Sequence, residues 1–306
     1  MQEDHKKIRK ASWVSIIGNA LLSVLKLVIG FVSGSMAVIA DGIDSASDIL
    51  ASVVTLIAAR IISKPPDPKF PFGYAKADTI ATKVLSFIIF FAGAQLAITT
   101  ITTLVENVTR EIPSMIAIYV TVFSIAGKLG LSWYQFRIGK ATESHMLQAN
   151  AKNMQNDVLI SGSVLLGLLF TYIFKLPVLD TVTGLLVSVY IMYTAFKIFM
   201  KTNVELMDGI EDKGVYEDIF VAVDSVKGAH KPHRVRIRQM GKYYMIDIDI
   251  EVNGEITVKE SHQIAQNVED SIRDRIRNVY DVLVHVEPYG KDHKEEMFGV
   301  SREHIK

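Results

Sequence analysis

Two stretches far apart in the chain repeat one spacing of polar residues. "DGIDSASD" places Asp41, Asp44 and Asp48 at offsets 0, 3 and 7, and "NAKNMQND" places Asn150, Asn153 and Asp157 at the same offsets. On a helix those offsets fall on one face. Asp44 and Asp48 are one turn apart, as are Asn153 and Asp157, so two such helices packed side by side offer four oxygen donors to one point. That cage suits a divalent cation. Three carboxylates and a dication leave one negative charge, which a proton could cancel, so exchange of metal for protons is natural chemistry here. Asp41 and Asn150 complete the stripes, either as interfacial residues wetted by water or as accessory residues of the ion's path. Asp44 and Asp157 could instead form a proton-sharing hydrolytic dyad. That use leaves Asp48 and Asn153 idle, and we expect no enzyme.

Both stripes lie against long apolar runs, and these runs are the elements that must position them. Six segments approach or exceed the ~20 residues needed to cross a bilayer. They are 13–33, 36–62, 80–106, 114–136, 146–174 and 178–200. The fifth has the shortest clean apolar core, from Val158 to Phe174. Turn and breaker signals separate them: "SGS", "KPPDPKFPFG", "REIP" and "KLP". An ionised group near the bilayer centre costs at least ~2.5–3.5 kcal/mol, so acids kept there mark an ion or proton pathway. The segment after "MQEDHKKIRK" is too long for a signal-peptide core and shows no small-residue cleavage site, so it reads as a retained anchor.

Basic residues are unevenly shared between the connections. Lys6, Lys7, Arg9 and Lys10 precede the first span, Arg60, Lys64, Lys69 and Lys76 flank the second connection, and Arg137 and Lys140 follow the fourth span. The alternate loops hold only Arg110 and Lys175. This bias predicts a multi-pass protein of the cell (inner) membrane, in contact with lipid, with both termini cytoplasmic.

Composition agrees with a divided chain. Of 306 residues 49% are hydrophobic, yet the apolar stretch ends near residue 200 and a charged, short-patterned region follows. We expect a transmembrane transport domain over 1–204 and a cytoplasmic domain over 205–306. The formal net charge of zero gives no support for a nucleic-acid partner. The lack of any cysteine excludes disulfides and thiolate metal ligands. In the second region "GVYEDIFVAVDSV" has helical periodicity, and "HRVRIRQMG" and "YYMIDIDIEV" alternate as strands joined at Gly241-Lys242. "TVKESHQIAQNVEDSIRDRIRN" reads as an amphipathic helix and "DVLVHVEP" as a last strand. The order α-β-β-α-β predicts a small sheet with helices on one face. Asp247, Asp249 and Glu251 share a face, which an ordinary solvated strand would also produce; His285 and Glu287 share one too. His293 and His304 fall in a tail expected to be solvated and mobile.

"DSASD" at 44–48 and "NMQND" at 153–157 resemble the D/H-x-x-x-D and H/D-x-x-x-D motifs of the cation diffusion facilitator family. "FGYAKAD" at 72–78 resembles its FGHGKxE-type signature, and "LMD" at 206–208 the junction that opens its cytoplasmic domain. The resemblance covers nearly the whole chain. It implies a membrane α-helical bundle of six transmembrane helices plus a small cytoplasmic α+β metallochaperone-like domain. It also implies a homodimer that exports divalent metal in exchange for protons by alternating access. Asp44, Asp48, Asn153 and Asp157 would be the transport site, and Lys76 would pair with Asp208 at the interdomain hinge; otherwise Lys76 is an ordinary membrane-flanking lysine. A second, cytoplasmic metal site would draw on His233, Asp249, His262, His285 and Glu287, with His230 in reserve. A relative that had lost transport would be left as a membrane metal sensor.

Two departures from the family pattern bear on the metal. Zinc-type members commonly carry histidine where this chain has Asn153, so the site here is all oxygen. Carboxylate and carbonyl oxygens suit Mn²⁺, whereas zinc favours nitrogen and sulfur. The expected substrate is therefore Mn²⁺, ahead of Zn²⁺, Fe²⁺ and Co²⁺. Some relatives bind a further metal after the second span through an acid and two histidines. This chain keeps Asp67 but shows Phe70 and Tyr74 in the histidine places, and we expect no metal there.

Overall fold

A computed structural model describes residues 2–106, 111–142, 144–210, 212–240, 243–290 and 298–302. The chain divides into two compact units, Met1–Arg60 with Ala81–Phe199 and Ile61–Ile80 with Met200–Lys306. Six long helices dominate: α1 (Gln2–Ser33), α2 (Met36–Ile62), α3 (Lys76–Val105), α4 (Ile116–Ala141), α5 (His145–Phe174) and α6 (Val178–Leu206). All six hold stretches long and apolar enough to cross a membrane, and the chain is a multi-pass membrane protein. α1 begins well before the apolar run from residue 13, and α6 continues past residue 200.

In the first unit large apolar side chains face outward, among them Phe91, Leu159 and Ile173, as lipid-facing surfaces require. Gly34, at φ +70°, makes the sharp reversal between α1 and α2 that a side chain would resist. The first turn of α2 is then capped from a distance. Asp180 accepts from Ser35 Oγ at 2.5 Å and from the Met36 N–H at 2.7 Å, which satisfies donors that lipid cannot. Close contacts run antiparallel between α4 and α5. A Cβ on Gly139 would meet the Gln148 backbone nitrogen at 3.1 Å, so only glycine lets the two helices approach there. Ser132 Oγ donates to the Ala151 carbonyl at 2.8 Å one contact further along.

The second unit holds α7 (Gly214–Asp224), β1 (His230–Met240), β2 (Tyr243–Val252), α8 (Val258–Arg275) and β3 (Val279–Pro288), in the expected order. The sheet order is β1-β2-β3, antiparallel between β1 and β2 and parallel between β2 and β3. Ile246, Ile248 and Ile250 of β2 pack on Ile219 and Phe220 of α7 and on Val268 and Ile272 of α8. The alternate residues Asp247, Asp249 and Glu251 therefore lie on the other face. Residues 298–302 depart from the expected free tail: Val300 pairs with Val235 of β1, and Arg302 lies 2.5 Å from Asp224 and over the Phe220 ring. Arg110, Gly241, Lys242, His293 and His304 lie outside the described residues.

Candidate metal centres

The α4–α5 contact aims one residue of each helix at the other. Lys128 Nζ donates to Asp157 Oδ2 at 3.1 Å, with the lysine side chain only 1% exposed. Across from them on α2, the Asp48 carboxyl interacts closely with Asp157 and with Lys128. Asp44 is half-buried one turn away and interacts electrostatically with Asp157, Lys128, Asp41 and Lys26. Asp48, Asn153 and Asp157 line a cavity of about 500 Å³ together with Asn150 and Gln135. Asp44 stands behind this lining. The remaining wall comes from α1 and α2, within residues 12–19 and 49–56, and from Met154 of α5, so the cavity opens toward the end of the bundle where α1 starts.

Asp41 points elsewhere. Lys26 Nζ sits 2.8 Å from Asp41 Oδ2 and donates to Ser45 Oγ at 3.2 Å and Ser161 Oγ at 2.9 Å. Ser161 Oγ in turn donates to Asp41 Oδ1 at 2.8 Å. Lys26 and Ser161 are fully buried, and this network ties α1, α2 and α5 together on the side of the acids away from the cavity. Asn150 lies at the opposite end, exposed in the cavity wall.

Three buried polar side chains of this region are absent from the sequence reading. Lys26 and Lys128 are ionisable groups inside apolar spans, which is itself a signal of function or pairing. Gln135 is 1% exposed, and among the described residues its side-chain carbonyl accepts no hydrogen bond. It stands seven residues after Lys128, on the same face of α4.

In the second unit β1 is irregular where it passes β2. Its register shifts between His230 and His233 and again between His233 and Arg236, and Lys231 and Arg234 adopt φ of +40° and +48°. Such bulges re-aim side chains. Here they bring His233 beside Asp249 and Glu287, with candidate ligand atoms of all three within 4.8 Å of one another. His233 Nδ1 lies 2.7 Å from the Lys231 carbonyl. A carbonyl can only accept, so Nδ1 carries the proton and Nε2, 3.4 Å from Glu287, presents the lone pair in the neutral ring. Arg234 Nη1 lies 2.7 Å from Asp249 Oδ2 and neutralises that buried acid. The parallel register sets His285 beside Asp249, and His285 Nε2 is 3.4 Å from Glu287 Oε1. His262 is exposed on α8 and belongs to no such group among the described residues, and the His230 ring packs at 5.1 Å from Tyr289.

Lys76 Nζ meets Asp208 Oδ1 at 2.5 Å, and Arg238 Nε reaches the other oxygen at 3.1 Å. Asp208 adopts φ +59°, a conformation that aspartate tolerates better than most residues. Asp67 is spent on its own loop. It accepts from the Tyr74 hydroxyl at 2.5 Å and from the N–H groups of Phe70 and Lys69 at 2.8 and 2.9 Å. The Tyr74 hydroxyl, then these amides, hold its carboxyl below the usual range.

Comparison with known proteins gives a match along both units. The family model for the cation efflux transmembrane domain matches residues 12–207, and that for the cation efflux protein cytoplasmic domain matches 212–289. The uncharacterized transporter YdbO of Bacillus subtilis is 34% identical over 94% of this chain and 97% of its own. The manganese efflux system protein MneS of the same organism is 31% identical over 94% and 97%. A second manganese efflux system protein, MneP, is 29% identical over 92% and 96%.

Proposed function

The chain belongs to the cation efflux, or cation diffusion facilitator, family, and on that footing we propose that it is a homodimeric antiporter exporting Mn²⁺ against protons. The observation that carries the metal assignment is the donor set of the membrane cavity. Asp48, Asn153 and Asp157 line it, Asp44 stands one turn away, and Gln135 adds a carbonyl oxygen; no imidazole is among them, and the one sulfur in the lining is the Met154 thioether, a far weaker ligand than a thiolate. Oxygen-only sites suit manganese better than zinc. The manganese efflux named for MneS and MneP supports the same choice. Zn²⁺, Fe²⁺ and Co²⁺ are the competing substrates. Proton coupling follows from the donors' chemistry, because carboxylates must be deprotonated to ligate and metal entry therefore expels protons.

The second site serves the cytoplasmic domain. His233, Asp249 and Glu287 offer one imidazole and two carboxylates, and His285 approaches Glu287. A mixed set of this kind accepts zinc as well as manganese. With basic residues concentrated in alternate connections, both termini face the cytoplasm of a cell (inner) membrane protein, and metal leaves the cell.

Reconstitution in proteoliposomes tests the reading. Metal influx is expected to run opposite to protons, and Asp44→Ala and Asp157→Ala each to abolish it; transport that survives both changes overturns the site. Competition among Mn²⁺, Zn²⁺, Fe²⁺ and Co²⁺ should show manganese preferred, with Asn153→His raising the share of zinc. A zinc share unmoved by the imidazole removes the argument from donor type.

A further inference from the structure

We propose that Lys128 is a tethered competitor of the transported metal: its ammonium holds Asp157 while the site is empty and must leave that carboxylate for a dication to be seated. The inference rests on the transport site proposed above and adds a residue to it. Lys128 is buried at 1% exposure inside α4, and its Nζ lies 3.1 Å from Asp157 Oδ2. It also interacts electrostatically with Asp44 and Asp48, so all three acids of the site feel it. The other buried ammonium nearby, Lys26, is committed to Asp41 at 2.8 Å, and that pair is neutral by itself.

Charge counting gives the lysine its purpose. Once deprotonated to ligate, Asp44, Asp48 and Asp157 carry three negative charges and Lys128 one positive, so one dication brings the site to neutrality without a further ion. Without the lysine a seated dication would leave an uncompensated charge in a dry environment, and the carboxylates would grip the metal too firmly to release it. A carrier must bind its cargo reversibly, and an ammonium on a flexible four-carbon stem can return to Asp157 as the metal departs.

The competition has a measurable size. A competitor that holds Asp157 in about nine molecules of ten raises the apparent metal constant about tenfold. In proteoliposomes assayed with Mn²⁺ alone, Lys128→Met should therefore lower KM about tenfold while Vmax falls, because release is slowed. Lys128→Arg should shift KM the other way, since a guanidinium grips a carboxylate in two hydrogen bonds and competes harder. Opposite shifts of KM are beyond a merely structural lysine. If the methionine variant yields no folded protein, the arginine variant decides alone. KM within about twofold of the parent in the folded variants, or shifts of the reversed sign, overturns the proposal. Asp48→Asn, run alongside, separates the two readings. Its loss of transport with KM unmoved at position 128 condemns only the lysine, whereas its full transport condemns the site itself.

Discussion

Gln135 shows how much a single buried group can say. A side-chain carbonyl enclosed by protein without a donor is unfavourable, and a cation in the cavity would relieve it. Gln135→Leu should therefore raise KM for Mn²⁺ about tenfold, the equivalent of ~1.4 kcal/mol, with Vmax little changed. Fluorescence or transport titration reads the shift, and an unmoved KM takes Gln135 out of the donor set. The acids were visible in the sequence because polar residues recur at helical spacing within apolar runs. Lys26, Lys128 and Gln135 were not, for a physical reason. None repeats the three-residue polar spacing of the acids, and Lys26 and Lys128 find their partners on other helices. Lys128 and Asp157 are 29 residues apart, so only the packing of α4 on α5 reveals the pair. Two other helices divide the α2 stripe: Lys26 of α1 takes Asp41, and Asp157 of α5 stands beside Asp44 and Asp48.

Helices and strands were read with fewer gaps, because their signals are local. Apolar length marks the six long helices, and alternation marks the strands of the second unit. What alternation misses is the irregularity of β1, where bulges decide that His233 and Arg234 face Asp249. α8 shows how sequence fixes an element's start. Thr257 accepts from the Glu260 N–H, and the Glu260 carboxylate accepts back from the Thr257 N–H and hydroxyl, a closed capping box. Thr257→Ala should cost about 1 kcal/mol, and amide exchange in the first turn of α8 should speed about fivefold. Those same bonds, the backbone N–H first, hold the Glu260 carboxyl below its ordinary value. The cap's contribution is therefore complete above the unfolded glutamate value, about 4.3, and fades as pH falls through the lower folded one. Hydrogen exchange followed down the acid range checks the direction; a cap that strengthens on acidification contradicts it.

At the scale of the transmembrane unit the two lysines divide the space around the acids. On one side the cavity runs from Ser12, Thr55 and Asn150 inward to Asp48 and Asp157. On the other the Lys26, Asp41, Ser45 and Ser161 network is fully buried and closes the way. Among the described residues the acids are therefore reached from the side of the cavity. The chain has no cysteine, so one introduced thiol reports access without background. Ser52→Cys, in the cavity wall, should react with a membrane-impermeant maleimide only from the side where α1 starts. Ser161→Cys, with its side chain fully enclosed, should react from neither side in the absence of metal. Adding Lys26→Met to Ser161→Cys removes the ammonium that binds Asp41, Ser45 and Ser161 together, and labelling from the far side should then appear. A thiol at 161 that stays silent in the folded double variant means helix packing alone makes the seal, and the buried ion pair has no part in it.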